Sequence, residues 1–471
     1  MSKNIEDDHP REFCGVVGIY GSPEASVWTY LGLFALQHRG QESSGIASSD
    51  GQRVYKHLGM GLVADVFNEK ILANLPGYIS IGHNRYSTTG ASNLQNISPI
   101  VVNHKLGTIG ISHNGNLVNS HQLHQELEES GSIFQTTTDS EIILHLVAKS
   151  QKPDLESKIL EAVQRIRGAF SMVFISKDKL IAVRDPHGFR PLAIGKKGYA
   201  YVFASETCAF DLIGAKYERD VKCGEMLVVA ADGLKTYQIS EAVKPRHCIF
   251  EFVYFSRPDS QIFGEYVDKT RRKLGKNLAE ESPCTADIVI SVPDSSNTTA
   301  LGYAARSEAK FEIGLIRNHY IGRTFIHPKQ SLRDMNVRIK FNAVGGVVKD
   351  RRLVIVDDSI VRGTTMRGLV KRLRDAGAEE VHVRVSSPPI RHPCFYGMDF
   401  PTQEELIASK KTVDEIASFL GVDSLSYLSL EKMLAAMPSN NGQEYCTACF
   451  SGNYPIPVEE EQKKERYESS T

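Results

Sequence analysis

The sequence has almost no net charge and no long hydrophobic run. Its formal net charge is −1 at pH 7 over 471 residues, so it lacks the basic field that nucleic-acid-binding proteins use. No apolar stretch approaches the roughly 18 residues needed to span a bilayer. We therefore predict that neither nucleic acid nor a membrane is among the partners of this protein.

Cysteine is also sparse, and the first thirteen residues lack the features of a targeting signal. Residues 1–13 have no apolar core, which excludes a secretory signal, and their acidic character is unlike that of a transit peptide. We therefore expect a cytoplasmic protein. The eight cysteines indicate thiols, metal binding or catalysis rather than a disulfide framework. Residues 1–13 are either a short propeptide or a frayed end, and their position alone leaves both open.

The first half of the chain is rich in short strands. The composition, 41% hydrophobic and 24% charged, is that of a globular protein, and the length predicts two or three domains. Up to about residue 240, β-type runs are punctuated by Gly and Asn. Two helical patterns interrupt them, at residues 31–45 and 140–150, the second with Asp139 as a possible N-cap. Many strands and few helices predict packed sheets in an α+β layered domain.

After Pro258, strands and helices alternate instead, which predicts βαβ units on a parallel sheet. Gly377 is well placed to cap a helix at its C-terminal end. The change of pattern places a domain boundary near residues 240–260. The alternating elements are a helix at 264–282, a strand at 286–292, a helix at 297–309, a strand at 351–358, a helix at 365–378 and a strand at 380–386.

The strand at 351–358 ends in two acids and a loop that suits a phosphate. Strand–loop–helix geometry puts loop N–H groups and a helix N-terminus at the carboxyl edge of a sheet, which is an anion site. The segment is not a Walker loop, because no Gly-Lys-Ser/Thr follows. Paired acids beside a phosphate suit a ribose 5-phosphate, and the alternative is a solvated strand end with an N-cap. The residues are Asp357, Asp358, Ser359, Gly363, Thr364 and Thr365.

This segment resembles the signature of the type I phosphoribosyltransferases, which bind phosphoribosyl pyrophosphate. The resemblance implies that Asp357 and Asp358 hold the ribose hydroxyls and help to place one Mg²⁺, while residues 359–365 hold the 5-phosphate. Ser295, in the strand-to-helix turn SVPDSSNTTA, is assigned to the metal. Arg323 and Lys340 lie in a long basic segment that is either a lid over the pyrophosphate or a solvated loop.

Three polar motifs stand at strand ends in the first half. They are Gly82-His83-Asn84-Arg85-Tyr86-Ser87, His113-Asn114-Gly115-Asn116 and Thr138-Asp139-Ser140-Glu141. Singly each is weak, because Asn-Gly is a turn signal first and Arg85 could be a surface charge. Together with Cys14-Gly15 and the segment QHRGQESSGI at 37–46, they resemble the class II glutamine amidotransferases, which have the N-terminal nucleophile hydrolase fold.

The residue types fit the hydrolysis of glutamine. Arg85 can bind the carboxylate of glutamine and Asp139 its ammonium group, with Arg39 supporting the same pocket. Amide attack develops an oxyanion, for which Asn114 and the N–H of Gly115 are candidate donors.

Cys14 is the candidate nucleophile. Its thiol at an unperturbed pKa is only a few per cent thiolate at pH 7, and a free α-amine on the same residue can serve as its base. That arrangement requires removal of residues 1–13, so the propeptide interpretation is favoured.

The two resemblances together predict a two-domain enzyme. An α+β N-terminal nucleophile hydrolase domain of stacked sheets between helices (14–245) follows the propeptide (1–13). An α/β parallel-sheet phosphoribosyltransferase domain (246–455) comes next, and a disordered tail (456–471) closes the chain.

The expected reaction transfers ammonia from glutamine to C1 of phosphoribosyl pyrophosphate, which commits the product to purine synthesis. The resemblance further implies a homotetramer with purine nucleotides as feedback inhibitors. The rivals are a non-enzymatic phosphoribosyl pyrophosphate sensor and a glutaminase feeding a sugar phosphate.

Four cysteines remain as candidate metal ligands. Cys446 and Cys449 form a CxxC motif, which alone fits a redox pair, a zinc site or chance, and Cys248 and Cys394 could complete a four-thiolate site. The ligand count does not separate zinc from an iron–sulfur cluster. Among enzymes that combine these two domains, one branch carries a [4Fe–4S] cluster, and these four positions match its ligands. The resemblance therefore implies one [4Fe–4S] cluster per subunit.

Overall fold

The computed structural model describes residues 14–86, 93–318, 341–398, 400, 402–438 and 442–458. The predicted propeptide, Ser87 and the basic residues Arg323 and Lys340 lie outside these ranges, as does most of the predicted tail. Across the described ranges, no helix is long and apolar enough to cross a membrane.

The first part of the chain forms two antiparallel sheets. One sheet has the strand order β11-β9-β10-β1-β4-β2-β3 and the other β13-β12-β8-β7-β6-β5. In chain order the strands are β1 Gly15–Tyr20, β2 Ser43–Ser49, β3 Val54–Met60, β4 Ile79–Arg85, β5 Ile100–His104, β6 Gly107–Leu117, β7 Gly168–Ile175, β8 Leu180–Arg184, β9 Ala193–Lys197, β10 Ala200–Ala204, β11 Lys216–Asp220, β12 Glu225–Ala230 and β13 Gly233–Gln238.

Helices cover the outer face of each sheet, so that the layers run helix, sheet, sheet, helix. Alternation along β1 illustrates the arrangement: Val16 packs between the two sheets against Val173, while Val17 packs outward with Leu33 of the first helix. This confirms the predicted domain of stacked sheets between helices. The helices are α1 Ala25–Ala35, α2 Ser120–Glu129, α3 Asp139–Lys149, α4 Leu155–Arg165 and α5 Cys208–Ile213, with short turns at Val63–Val66 and Glu69–Ala73.

Two details of the predicted elements are wrong. The helix predicted over residues 31–45 ends at Ala35, and Ser43–Ser49 is the fully buried strand β2. Serine-rich β2 lies between β3 and β4 inside the sheet, and its small polar side chains are buried there, so its apolar pattern is weak. Asp139 is not an N-cap but the first helical residue, and its carboxylate accepts a hydrogen bond from Leu117 on β6 instead.

The second part of the chain contains the predicted parallel sheet. Its strand order is β18-β17-β21-β22-β23, and every neighbouring pair is parallel. Gly377 has φ +94 just after its helix, as predicted. The strands are β14 His247–Cys248, β15 Gln261–Ile262, β16 Glu265–Tyr266, β17 Ile288–Ser291, β18 Lys310–Phe311, β19 Leu315–Arg317, β20 Phe341–Ala343, β21 Arg352–Asp357, β22 Glu380–Val385, β23 Ser424–Tyr427 and β24 Tyr445–Cys446.

Helices flank this sheet, and a short segment joins it to the first part. The longer helices are α6 Val267–Glu281, α7 Asn297–Ser307, α8 Thr364–Asp375, α9 Val413–Leu420 and α10 Leu430–Ala436, with turns at Gly345–Val348, Ile407–Lys410 and Ala448–Ser451. At the junction, β14 pairs in parallel with β24, and a π-helical turn, Glu251–Phe255, follows. The chain near its end therefore returns to the point where the two domains meet.

Candidate active sites

Cys14 stands directly before β1, where two neighbouring segments hold it. Gly15 pairs with Asn84 of β4, which brings the end of β4 beside the cysteine. The Cys14 thiol donates to the carbonyl oxygen of Tyr86 at 3.6 Å, and the Nε of Arg39 donates to the carbonyl oxygen of Cys14 at 3.2 Å. Backbone and side chain of the candidate nucleophile are thus both fixed.

The charged groups that face the Cys14 thiol are Arg85, Glu42 and Asp139. Desolvation raises the pKa of Cys14 to about 11, although the hydrogen bond with Tyr86 and the charge of Arg85 act to lower it. Arg85 is buried, with 5% of its surface exposed. The thiol is therefore neutral at pH 7 until a base removes its proton.

Asn114 and Gly115 lie on β6 and have the features of an oxyanion site. Gly115 has φ +154, and a Cβ at this position would come within 1.9 Å of the carbonyl oxygen of Ala169, so only glycine fits. The side-chain amide of Asn114 is fully buried, and neither its nitrogen nor its oxygen has a hydrogen-bond partner among the described residues. Because buried polar groups are nearly always bonded, this unused donor suits a developing negative charge.

Asp139 is held as a carboxylate at the start of α3. Its Oδ2 accepts from the N–H of Leu117 at 3.0 Å, and its Oδ1 lies 3.5 Å from Nδ1 of His113. Desolvation acts to raise the pKa of Asp139, but the interactions with His113, Leu117 and Ser140 outweigh it and hold the pKa below its ordinary value. A buried anion is thus available for an ammonium group.

Two histidines that the sequence reasoning did not single out support this site. Burial lowers the pKa of His83 to about 3, so its ring is neutral, and its Nε2 lies 2.9 Å from the carbonyl oxygen of His113. That carbonyl directly precedes Asn114. Their only signal in the sequence is their place inside the two polar motifs.

Arg39 sits behind the nucleophile in a buried ionic cluster. Its guanidinium donates to Glu206 at 2.6 Å and to both carboxylate oxygens of Glu251 at 2.8 and 2.9 Å. Burial acts to lower the pKa of Arg39, but the two carboxylates hold it above its ordinary value. Arg39 therefore supports the Cys14 backbone. Glu206 and Glu251 were missed from the sequence because they lie 167 and 212 residues away.

In the second domain the structure brings Ser295 onto the acidic pair. β17 pairs with β21, so the turns that follow the two strands are adjacent. The Ser295 hydroxyl donates to Asp358 Oδ2 at 2.6 Å, and the Ser296 hydroxyl lies 3.2 Å from Asp357 Oδ1. Ser359 donates to Asp358 Oδ1 at 2.7 Å. Both aspartates are buried, and their hard oxygen donors are of the type that Mg²⁺ prefers.

The predicted phosphate loop leads from Ser359 into α8. Gly363 has φ +78 and caps the helix, with Thr364 and Thr365 in its first turn. This places the helix N-terminus beside the acidic pair, as the motif predicts. Arg271 is an unpredicted neighbour. Its side chain is fully buried, and desolvation lowers its pKa to about 10, while the charge of Asp358 acts to raise it.

Four cysteines that are distant in sequence line one small cavity at the domain junction. They are Cys248, Cys394, Cys446 and Cys449, with Phe189, Ile249, Phe250, Tyr396, Met398 and Ala448. Cys248 lies opposite Cys446 in the β14–β24 ladder. The cavity has a volume of about 20 Å³, which is enough for one water molecule. The pocket is therefore a small apolar cavity with four cysteines in its wall.

The thiols of this cysteine pocket resist ionisation on their own. Desolvation raises the pKa of Cys248 to about 11 and also raises that of the other three, and the neighbouring thiols add to the effect at Cys446 and Cys449. No group of His, Cys, Asp or Glu side chains in the described part of the chain is arranged to hold a single metal ion.

Comparison with known proteins covers nearly the whole chain. A family model described as a glutamine amidotransferase domain matches residues 83–211. Amidophosphoribosyltransferase 1, chloroplastic, of Arabidopsis thaliana is 52% identical over 465 residues, 98% of this chain and 82% of that protein. Amidophosphoribosyltransferase of Bacillus subtilis is 49% identical over 454 residues, 95% of each chain.

A solved structure agrees with these relatives. Glutamine phosphoribosylpyrophosphate amidotransferase from B. subtilis, complexed with ADP and GMP, superposes with a TM-score of 0.91 at 47% identity. The match covers 96% of this chain and 99% of that one. The similarity therefore includes both domains and their arrangement.

Proposed function

The chain belongs to the amidophosphoribosyltransferase family, and we propose that its two candidate sites divide the family's reaction between them. The enzyme converts glutamine, phosphoribosyl pyrophosphate and water into 5-phosphoribosylamine, pyrophosphate and glutamate, the first step of purine biosynthesis. The observation that carries this function is the identity of about 50% over nearly the full chain. A sensor or a glutaminase for another acceptor is not needed to explain either site.

Glutamine is hydrolysed at Cys14. Arg85 binds the substrate carboxylate and Asp139 its ammonium group, which leaves the side-chain amide before the thiol. Attack by sulfur gives a tetrahedral oxyanion that accepts hydrogen bonds from the Asn114 amide and the Gly115 N–H. Collapse releases ammonia and leaves a thioester, which water hydrolyses to glutamate. The unpartnered buried amide of Asn114 supports its role as a donor.

The base for this step is the α-amine of Cys14, once residues 1–13 are removed. An α-amine has a pKa of roughly 7.7–8, so it is partly unprotonated at neutral pH. The pKa of about 11 for the Cys14 thiol means that a base is required. Arg39 fixes the Cys14 carbonyl and thereby the orientation of the whole residue.

The phosphoribosyl transfer belongs to the second site. Residues 359–365 bind the 5-phosphate with backbone N–H groups, and the buried carboxylates of Asp357 and Asp358 bind the ribose hydroxyls. Ammonia attacks C1 as pyrophosphate leaves, and a path inside the protein protects ammonia from loss to water. Mg²⁺, held by Asp357, Asp358 and Ser295, would neutralise charge on the pyrophosphate. Arg323 and Lys340 remain predicted lid residues outside the described ranges.

We infer that the cysteine pocket holds a [4Fe–4S] cluster. Four thiolates alone suit either zinc or a cluster, and the match of Cys248, Cys394, Cys446 and Cys449 to the ligand positions of the cluster-bearing branch favours the cluster. Their placement around one cavity supports a shared ligand. When bound, it would supply the positive charge that lets these thiols ionise, and it would join the junction to the second domain.

We infer feedback regulation and the oligomeric state of this enzyme from its family. A relative's structure with ADP and GMP supports purine nucleotides as feedback inhibitors of this enzyme. A homotetramer and a cytoplasmic location remain predictions. Native mass spectrometry under anaerobic conditions would report the subunit number and the loss of residues 1–13 together.

Replacement of the nucleophile tests the two-site scheme. Cys14→Ala removes the sulfur but leaves the phosphoribosyl site intact, so we expect glutamine-dependent release of pyrophosphate to vanish and ammonia-dependent release to persist. Cys223→Ser, a half-buried thiol elsewhere in the first domain, is the matched control and should leave both activities in place. Loss of both activities in Cys14→Ala would contradict the scheme.

A further inference from the structure

A loop of the second domain, residues 394–398, lies directly against the end of β6. We call residues 114–116 of that strand, which include the proposed oxyanion donors, the oxyanion turn. Nδ2 of Asn116 donates to the carbonyl oxygen of Phe395 at 2.9 Å. Gly397 has φ +97, and a Cβ there would come within 3.1 Å of the Gly115 carbonyl carbon. Backbone therefore packs on backbone at Gly115, with no room for a side chain between the two domains.

Arg190 fixes this loop from its other side. Its Nε donates to the carbonyl oxygen of Tyr396 at 3.1 Å, and its Nη1 lies 3.5 Å from Oε1 of Glu251. Glu251 also binds Arg39, which holds the Cys14 carbonyl. Arg190 and Glu251 are fully buried. The nucleophile and the oxyanion turn are thus braced by one interdomain cluster.

We propose that Asn116 is a positioning residue for glutamine hydrolysis, and that residues 394–398 of the second domain are the fixed support on which it holds the oxyanion turn. The proposal rests on the proposed roles of Asn114 and Gly115. Asn116 follows Gly115 directly, so its bond to Phe395 anchors the chain one residue beyond the Gly115 N–H. Misplacement of donors by an angstrom is enough to slow a reaction about a hundredfold.

The two parts of the substrate clamp have other supports besides the chain at Asn116. Asp139 accepts from Leu117, but it also accepts from Ser140 on its own helix and lies 3.5 Å from Nδ1 of His113. Arg85 lies at the end of β4. Loss of the Asn116 bond should therefore affect the transition state, where the oxyanion exists, and spare the binding of glutamine. A merely structural interdomain bond would instead affect both activities and the stability alike.

Asn116→Ala and Asn116→Asp test the proposal in the full-length enzyme. We expect kcat with glutamine to fall about tenfold in Asn116→Ala, the value of one net hydrogen bond. The fall should be larger in Asn116→Asp, whose carboxylate faces the Phe395 carbonyl. KM for glutamine and the ammonia-dependent kcat should not change. Asn119→Ala is the matched control, because Asn119 also donates to a carbonyl, that of Arg165 at 3.0 Å, but within its own domain.

An aldehyde analogue of glutamine gives an independent readout. The Cys14 sulfur adds to the aldehyde carbon, and the former carbonyl oxygen becomes a bound oxyanion, whereas the product glutamate binds without one. Asn116→Ala should weaken the aldehyde about tenfold and leave glutamate unchanged. Equal weakening of both ligands, or unchanged kcat with glutamine, would overturn the proposal. If Cys14→Ala itself still used glutamine, the proposed site would fail first, so the two failures are distinguishable.

Discussion

The two candidate active sites of this enzyme are built in opposite ways. In the amide site, Asn114 is buried with no partner in the described chain, and the glycine at 115 is closed in by backbone. In the phosphoribosyl site, Asp358 already accepts hydrogen bonds from Ser295 and Ser359. One site holds a donor unused until charge develops, while the other must exchange existing bonds for its ligand.

Because of this difference, the two sites have different costs in the free energy of folding. An unpaired buried amide costs about 1–3 kcal/mol, which the surrounding sheets must supply, and in return the donor needs no rearrangement when the oxyanion forms. The acidic pair already has hydroxyl partners before the substrate arrives, so it carries no comparable cost. Variants that damage one site and spare the other measure this contrast.

The largest effect is expected at Gly115. A methyl group in Gly115→Ala would meet the Ala169 carbonyl and push the turn away from the oxyanion. We expect kcat with glutamine to fall on the order of 10²–10³-fold, with ammonia-dependent activity intact. Gly131→Ala is the control, since Gly131 also has positive φ but nothing lies within 4 Å of its added Cβ. Retained glutamine use in Gly115→Ala would refute the oxyanion role.

Asp358→Asn should damage the other site and both activities together. The change keeps the shape but removes the charge that accepts from Ser295 and Ser359. We expect glutamine- and ammonia-dependent formation of phosphoribosylamine to fall in parallel, by about a hundredfold. Glutamate release without phosphoribosyl pyrophosphate, assayed separately, should change little. Asp375→Asn, exposed at the end of α8, controls for loss of an acid, and unequal loss of the two activities would contradict the separation.

Removal of a cysteine from the pocket should weaken the junction that both sites share. Cys449→Ser is expected to lose bound iron and sulfide and to lower Tm by roughly 5–10 °C, because the energy of metal binding is also folding energy. Cys284→Ser, a half-buried thiol outside the pocket, should change neither. Metal analysis and thermal unfolding under anaerobic conditions provide the measurement. Zinc in the unmodified enzyme, or an unchanged Tm in Cys449→Ser, would speak against the cluster.

The smallest effect concerns acid stability of the amide domain. Desolvation acts to raise the pKa of Glu206, but the charges of His38 and Arg39 outweigh it and lower the pKa. A lowered pKa in the fold stabilises the protein above the carboxyl pKa of the unfolded chain, roughly 4.3, and this contribution is lost as the pH falls. Glu206→Gln should therefore flatten the decrease of Tm as the pH falls below about 5. An identical slope would exclude this ion pair as a source of acid sensitivity.

How far the sequence predicts each site depends on how local the site is. Asp357 to Thr365 form one strand, loop and helix, so the motif itself specifies the geometry. The residues of the amide site instead come from separate segments of the chain. They could be assigned to one site only because the motifs together resemble those of a known family. The serine-rich strand Ser43–Ser49 escaped prediction because it is buried in spite of its polar side chains, so it shows no hydrophobic period.

The interdomain supports could not be predicted from the sequence at all. Asn116 and its partner Phe395 are 279 residues apart, and the carboxylate of Glu251 reaches Arg39 only because two domains pack together. Charges and amides in such places look like ordinary surface residues when the chain is read alone. Tertiary contact, not any local pattern, gives them their role.

The cysteine pocket also has a consequence for the order of events during synthesis. Cys248 and Cys446 stand side by side in the β14–β24 ladder, yet 198 residues separate them in the chain. At roughly 5–20 residues per second, a ribosome needs about 10–40 s to advance from one to the other. During that interval the first domain has been synthesised, but Cys446 and Cys449 of the second domain have not. Delivery of iron and sulfide for the proposed cluster would therefore be a late step, because the four cysteines are complete only after both domains have been made.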